Sequence, residues 1–130
     1  MPYFIILGAI FAMLAVAFGA MGAHFLKNII DAQALTVFQT ASTYQMYHAF
    51  ALILTALSLE HTHNTKVLNI AGWLFLAGII LFSGSLYGLS LFGLKYLGMI
   101  TPIGGVCFII AWLLFAISFM LKAENVEVNK

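Results

Sequence analysis

The sequence predicts an all-α integral membrane protein: a four-helix bundle with a short interfacial segment between its first two helices. Three observations carry that expectation. Hydrophobic residues make up 64% of the 130 residues and charged ones only 7%, against about 25% charged in a soluble domain. Four runs contain no Asp, Glu, Lys or Arg, namely residues 3–23, 41–59, 67–92 and 100–121. Each comes close to or exceeds the ~20 residues with which a helix crosses ~30 Å of hydrocarbon. None alternates polar and apolar as a barrel strand does, and lipid offers no partner to an unpaired peptide group, so each run must be a helix. The chain reads as one four-span domain over residues 1–123, with a polar tail over 124–130 that is expected to fray.

The first span has no Lys or Arg before it and is longer than the 7–15 residues of a signal-peptide core, so it reads as a retained span. Gly8, Ala12, Ala15, Gly19 and Gly22 recur at steps of four and three, which places only small residues on one helical face. Apolar side chains gain little by leaving lipid tails for one another. Helices in a membrane therefore associate where small residues let backbones approach, and such a seam is a packing surface. Next comes "HFLKNIIDAQALTVFQT", in which Phe25, Leu26, Ile29 and Ile30 stand beside Lys27, Asn28 and Asp31. That mixture suits an interfacial segment followed by a helix with Asp31 as its N-cap, begun well before its apolar part.

The second span holds "TYQMYHAF". Around its helix Ala41, Tyr44, Gln45, His48, Ala51 and Thr55 share one face, and Met46, Phe50, Ile53 and Leu57 share the other. His48 is thus expected to point into the bundle with Tyr44 and Gln45 beside it. The third span offers Gly84-x-x-x-Gly88, with Ala77 on the same side, and a polar group of Ser83, Ser85 and Tyr87. The fourth opens with "TPIGG": Thr101 can cap, Pro102 suits the first helical position, and Gly104 and Gly105 add small packing positions. Lys66, Lys122 and Lys130 lie on the side of the termini and Lys27 and Lys95 on the other. The excess of three over two assigns both termini to the cytoplasm.

Four motifs in this order, "AFGAMGAH", "YQMYHAFAL", "LFSGSLYGL" and "TPIGG", resemble the domain-of-unknown-function family 423. These are small bacterial inner-membrane proteins similar to transmembrane protein 256. The resemblance runs from about Phe4 to Phe119. His24, Tyr44, Gln45, His48, Ser83, Gly84, Ser85, Tyr87, Thr101, Pro102, Gly104 and Gly105 match its motifs. It implies a four-helix protein of the bacterial inner (plasma) membrane and no established activity.

Chemistry centres on His48, Tyr44, Gln45, Ser83, Ser85 and Tyr87 as a candidate polar pocket, with His24 as a second position. The plain alternative for His48 is a neutral imidazole satisfied across helices. His24, at the end of the first span, suits the negative end of the helix dipole. Haem held by His24 and His48 is disfavoured, because His24 lies at the membrane edge and His48 deeper. The loop histidines His61 and His63 with Glu60 are too few and too loosely placed for a metal, and no cofactor is expected. No span carries a carboxylate or a second ionisable partner for a nucleophile, so catalysis is not expected. Cys107 reads as a small packing residue. A net charge of +1 without a basic cluster gives nucleic acid no handle.

The lipid bilayer is the assured partner. The favoured function is a non-enzymatic accessory or interaction protein working with a membrane-protein partner or as a homo-oligomer. The alternatives are a binder or carrier of a small apolar molecule or lipid around His48, and a proton- or ion-handling unit in which His48 changes charge.

Overall fold

A computed structural model describes residues 2–62 and 65–128. Helix α1 (Pro2–His24) ends in a 3-10 turn, Leu26–Asn28, which buries Leu26 and leaves Phe25 and Ile29 outside. This turn stands where the interfacial segment is expected. Helix α2 (Ala32–Leu59) follows, and the Asp31 carboxylate accepts the Ala34 N–H at 2.8 Å as its N-cap. It begins well before residue 41, as the capping signal requires.

The third rod has three parts: α3 (Thr65–Gly78), a π-turn (Ile79–Ser83) and α4 (Gly84–Phe92). It stops at Gly93, whose φ of 64° lies in the left-handed region that glycine enters without strain. A 3-10 turn, Lys95–Met99, leads into α5 (Thr101–Val128). The helix continues through Val128, so the described part of the polar tail is helical where fraying was expected.

Among the described residues three stretches are long and apolar enough to cross a membrane: Tyr3–Asn28, Thr65–Phe92 and Lys95–Leu121. Helix α2 is less apolar because it carries the polar face. It is also the centre of the assembly, packing against α1, α3, α4 and the π-turn, while α5 packs on α3 and the π-turn. Its polar residues Gln45, His48 and Thr55 are therefore covered by protein. Leu52, Leu68, Phe75, Ile79, Phe108 and Ala111 form the apolar core between these rods.

Glycines set the close approaches. A Cβ on Gly8 would stand 2.8 Å from the Ala49 carbonyl, so α1 lies directly on α2 there. Gly104 rests on the backbone of Leu81 and Phe82 in the π-turn, and Gly78 is a notch filled by the Phe108 ring. Gly22 meets Phe38 and Gly88 meets Leu97, whereas Gly19 and Gly84 face open space. The π-turn explains Gly84. One extra residue in a turn rotates all that follows by about 100° relative to an unbroken α-helix, so Ala77 and Gly84 no longer share a face.

Candidate functional site

His48 is 5% exposed, and its surroundings fix its chemistry. Its Nδ1 lies 2.7 Å from the Tyr44 carbonyl oxygen one turn back on α2. A carbonyl only accepts, so Nδ1 carries the proton. The other nitrogen, Nε2, accepts the indole N–H of Trp112 on α5 at 3.2 Å. An indole N–H only donates, so Nε2 is unprotonated. The two contacts together specify one neutral tautomer. The Phe108 ring stacks on the imidazole with centroids 3.4 Å apart and planes 7° from parallel; Phe75 lies at 5.9 Å.

Gln45 is 3% exposed and uses both ends of its amide. Its Nε2 donates to the Phe11 carbonyl on α1 at 2.8 Å, and its Oε1 accepts from the Tyr87 hydroxyl on α4 at 2.7 Å. The Tyr87 ring sits against Phe18 and Phe38, at 5.0 and 5.1 Å. Ser83, in the π-turn, donates to the Ala41 carbonyl of α2 at 2.8 Å. Ser85 lies 2.6 Å from Thr101, the first residue of α5. Their oxygens are also within reach of the Phe82 and Leu97 carbonyls. Two hydroxyl protons serve these three contacts, so the pair has a direction that can reverse. Among the described residues no buried side-chain nitrogen or oxygen lacks a partner.

These residues therefore divide. Gln45 and Tyr87 meet; Ser83 and Ser85 reach other elements; His48 turns the other way, toward α5. Tyr44 stands at the rim, 40% exposed, with its ring 4.8 Å from Phe82. His24 is exposed at the end of α1. Its neighbour Gly22 meets Phe38, ten residues before His48, which corresponds to ~15 Å along α2. The structure does not bring the two histidines together. His61 lies in the turn after α2, and His63 lies outside the described residues. Among the described residues no three His, Cys, Asp or Glu side chains gather as a metal set.

The sequence reading did not single out the partners of His48. Phe75, Phe108 and Trp112 are aromatic residues inside apolar runs, where aromatics are common. Trp112 gave the one usable signal, since it falls in mid-span rather than at a membrane edge, where tryptophans anchor.

Between α2 and α5 lies a cleft of about 520 Å³ lined by Tyr44, Tyr47, His48, Phe82, Phe108 and Trp112, with Gly105 and Ile109. It exists because the backbones of α2 and α5 stay apart and aromatic side chains span the gap. A smaller cleft of about 250 Å³, lined by Gln45, Tyr87, Phe18 and Gly84 among others, lies between α1 and the third rod.

Residues 18–105 match the family described as protein of unknown function (DUF423). The chain is 53% identical over 118 residues to a UPF0382 membrane protein of Staphylococcus aureus (strain bovine RF122 / ET3-1), covering 91% of this chain and 95% of that one. It is 48% identical over 118 residues to the UPF0382 membrane protein YwdK of Bacillus subtilis (strain 168), covering 91% and 96%. No solved structure matches it.

Proposed function

This chain belongs to the DUF423 family of membrane proteins, and from that premise we propose that it is a non-enzymatic accessory that engages a second protein within the membrane. Its setting is the bacterial inner (plasma) membrane, with lipid around it. The observation that supports an accessory role is the fate of the buried polar groups. Gln45, His48, Ser83, Ser85 and Tyr87 are each bonded to protein, mostly across helices. A catalytic set would keep an acid, base or nucleophile turned toward a substrate.

The surface through which it engages a partner is the open flank of the small-residue face of α1, beside its seam with the bundle. That helix uses Gly8, Ala15 and Gly22 against the rest of the bundle. Ala12, Gly19 and Ala23 remain half-buried or exposed, and Gly19 has no atom within 4 Å of where its Cβ would be. Small residues left partly uncovered are positions where another helix can come close. The partner is a second copy or another membrane protein.

Native mass spectrometry of the protein extracted with its surrounding lipid tests this. A complex of fixed stoichiometry is expected, absent in Gly19→Ile and retained in Gly84→Ile, since both substitutions add bulk in open space. Recovery of monomer alone in native lipid, or a complex indifferent to Gly19→Ile, rejects the role.

A further inference from the structure

The cleft between α2 and α5 has features that helix packing does not require. Tyr44 and Tyr47 line it and are 40% and 58% exposed, yet neither hydroxyl has a hydrogen-bond partner among the described residues. Tyr44 packs against Phe82, near the middle of the charge-free run 67–92, and its neighbour Gln45 bonds Phe11, near the middle of 3–23, which sets this level of α2 at mid-depth. Tyrosines that anchor a helix sit at its membrane edges, where water and headgroups take the hydroxyl. At mid-depth the acyl tails offer no acceptor, and a phenol without one is costly. The remaining walls are flat. Phe108 lies parallel on His48, Phe82 packs against Tyr44, and Trp112 meets Phe75 edge-on at 4.9 Å. Trp112 is committed to His48 through its N–H, so the free donors of the cleft are the two phenols. Its volume of about 520 Å³ falls within the ~300–1,000 Å³ of small-molecule sites.

We propose that this cleft binds a lipophilic molecule with a flat ring bearing a carbonyl acceptor, the chemistry of a quinone headgroup, held between the aromatic walls with its carbonyl on Tyr44 and Tyr47. The apolar tail of such a molecule lies along the open, lipid-facing side. Shape and polarity both select it. A saturated chain fills the space and leaves the phenols unpaired; a polar molecule does not reach this depth. This site is separate from the open flank of α1 and stands or falls independently of it.

The test uses the full chain in nanodiscs of saturated phosphatidylcholine, with Trp73→Phe so that Trp112 is the single tryptophan. An alkyl benzoquinone is the probe, and quenching of Trp112 fluorescence is the readout. Saturable quenching is expected. The Tyr44→Phe, Tyr47→Phe double variant, which removes the two hydroxyls and keeps both rings, should bind roughly thirtyfold more weakly as two neutral hydrogen bonds are lost. A matched alkylcyclohexane without carbonyls should compete poorly. Three results overturn the proposal: quenching that rises linearly with probe in the lipid, equal competition by the carbonyl-free compound, and unchanged affinity in the double variant. Exclusion of the probe by a dimer packed on α5 overturns it too, by assigning the cleft to a second copy.

Discussion

Gln45 and His48 are three residues apart on α2, both almost fully buried, and they are held in opposite ways. Gln45 is gripped from both sides. Its amide nitrogen reaches a backbone carbonyl of α1 and its oxygen a phenol of α4, so one side chain joins three rods. His48 makes one bond to its own helix and one, longer, to α5. The first region is a tie that closes an interface; the second is the wall of a cleft whose helices stay apart. A buried polar residue in lipid can thus serve packing or border an opening. The distinction lies in how many of its bonds cross to other helices, not in its depth or its burial.

The largest effect comes from removing the support beneath the His48 region. A Cβ at Gly104 overlaps the Leu81–Phe82 backbone, which cannot move aside as a side chain can. Gly104→Ala should cost about 3 kcal/mol or more through overpacking, read as a lowered midpoint in detergent-denaturation titrations followed by tryptophan fluorescence. Tolerance of alanine there would mean that α5 does not rest on the π-turn.

The Gln45 tie comes next. Gln45→Leu strands the Tyr87 hydroxyl and should destabilise by about 1–3 kcal/mol, and Tyr87→Phe strands the Gln45 oxygen at about 1 kcal/mol. In the double variant neither is stranded, so its loss should fall short of the sum of the two single losses. Strict additivity in this cycle would show that the 2.7 Å contact contributes nothing. The smallest effect is expected at Trp112→Phe, which keeps an aromatic wall and removes one interhelical bond, worth about 0.6 kcal/mol on average. Should it exceed Gln45→Leu, the assignment of tie and wall is reversed.

Much of the fold was legible because lipid simplifies the problem. Charge-free runs of sufficient length must be helices. Asp31 before a helical stretch marked an N-cap, and that cap is made. The inward direction of Gln45 and His48 followed from helical period alone. Their partners did not. Gln45 and Tyr87 were both singled out, but nothing in the spacing says that they meet, because contacts between rods depend on crossing geometry. Gly78 went unnoticed for a related reason: small-residue patterns reveal where backbones approach, whereas this glycine is a notch for the Phe108 ring from another helix. The outward turn of Gly84 was invisible because periodicity assumes 3.6 residues per turn throughout, and the π-turn breaks that count. The group that borders the cleft, His48 with Phe108 and Trp112, joins α2 to α5, with His48 and Trp112 64 positions apart, and becomes a unit only when folded.

The π-turn also sets what kind of change the chain can absorb over time. Upstream of it the third rod packs on α2 and α5; downstream it packs on α2, carries Tyr87 to Gln45 and brings Ser85 to Thr101 at the start of α5. The two halves are correctly aimed only while one surplus residue is stored between them. Substitutions at Ile80, whose side chain is exposed, leave that offset intact. Loss of a single residue anywhere in Ile79–Ser83 erases it and swings Ser85 and Tyr87 off their partners together. The segment is therefore strict in length, and open to substitution only where a side chain such as Ile80 faces outward, since Ile79 and Ser83 are buried.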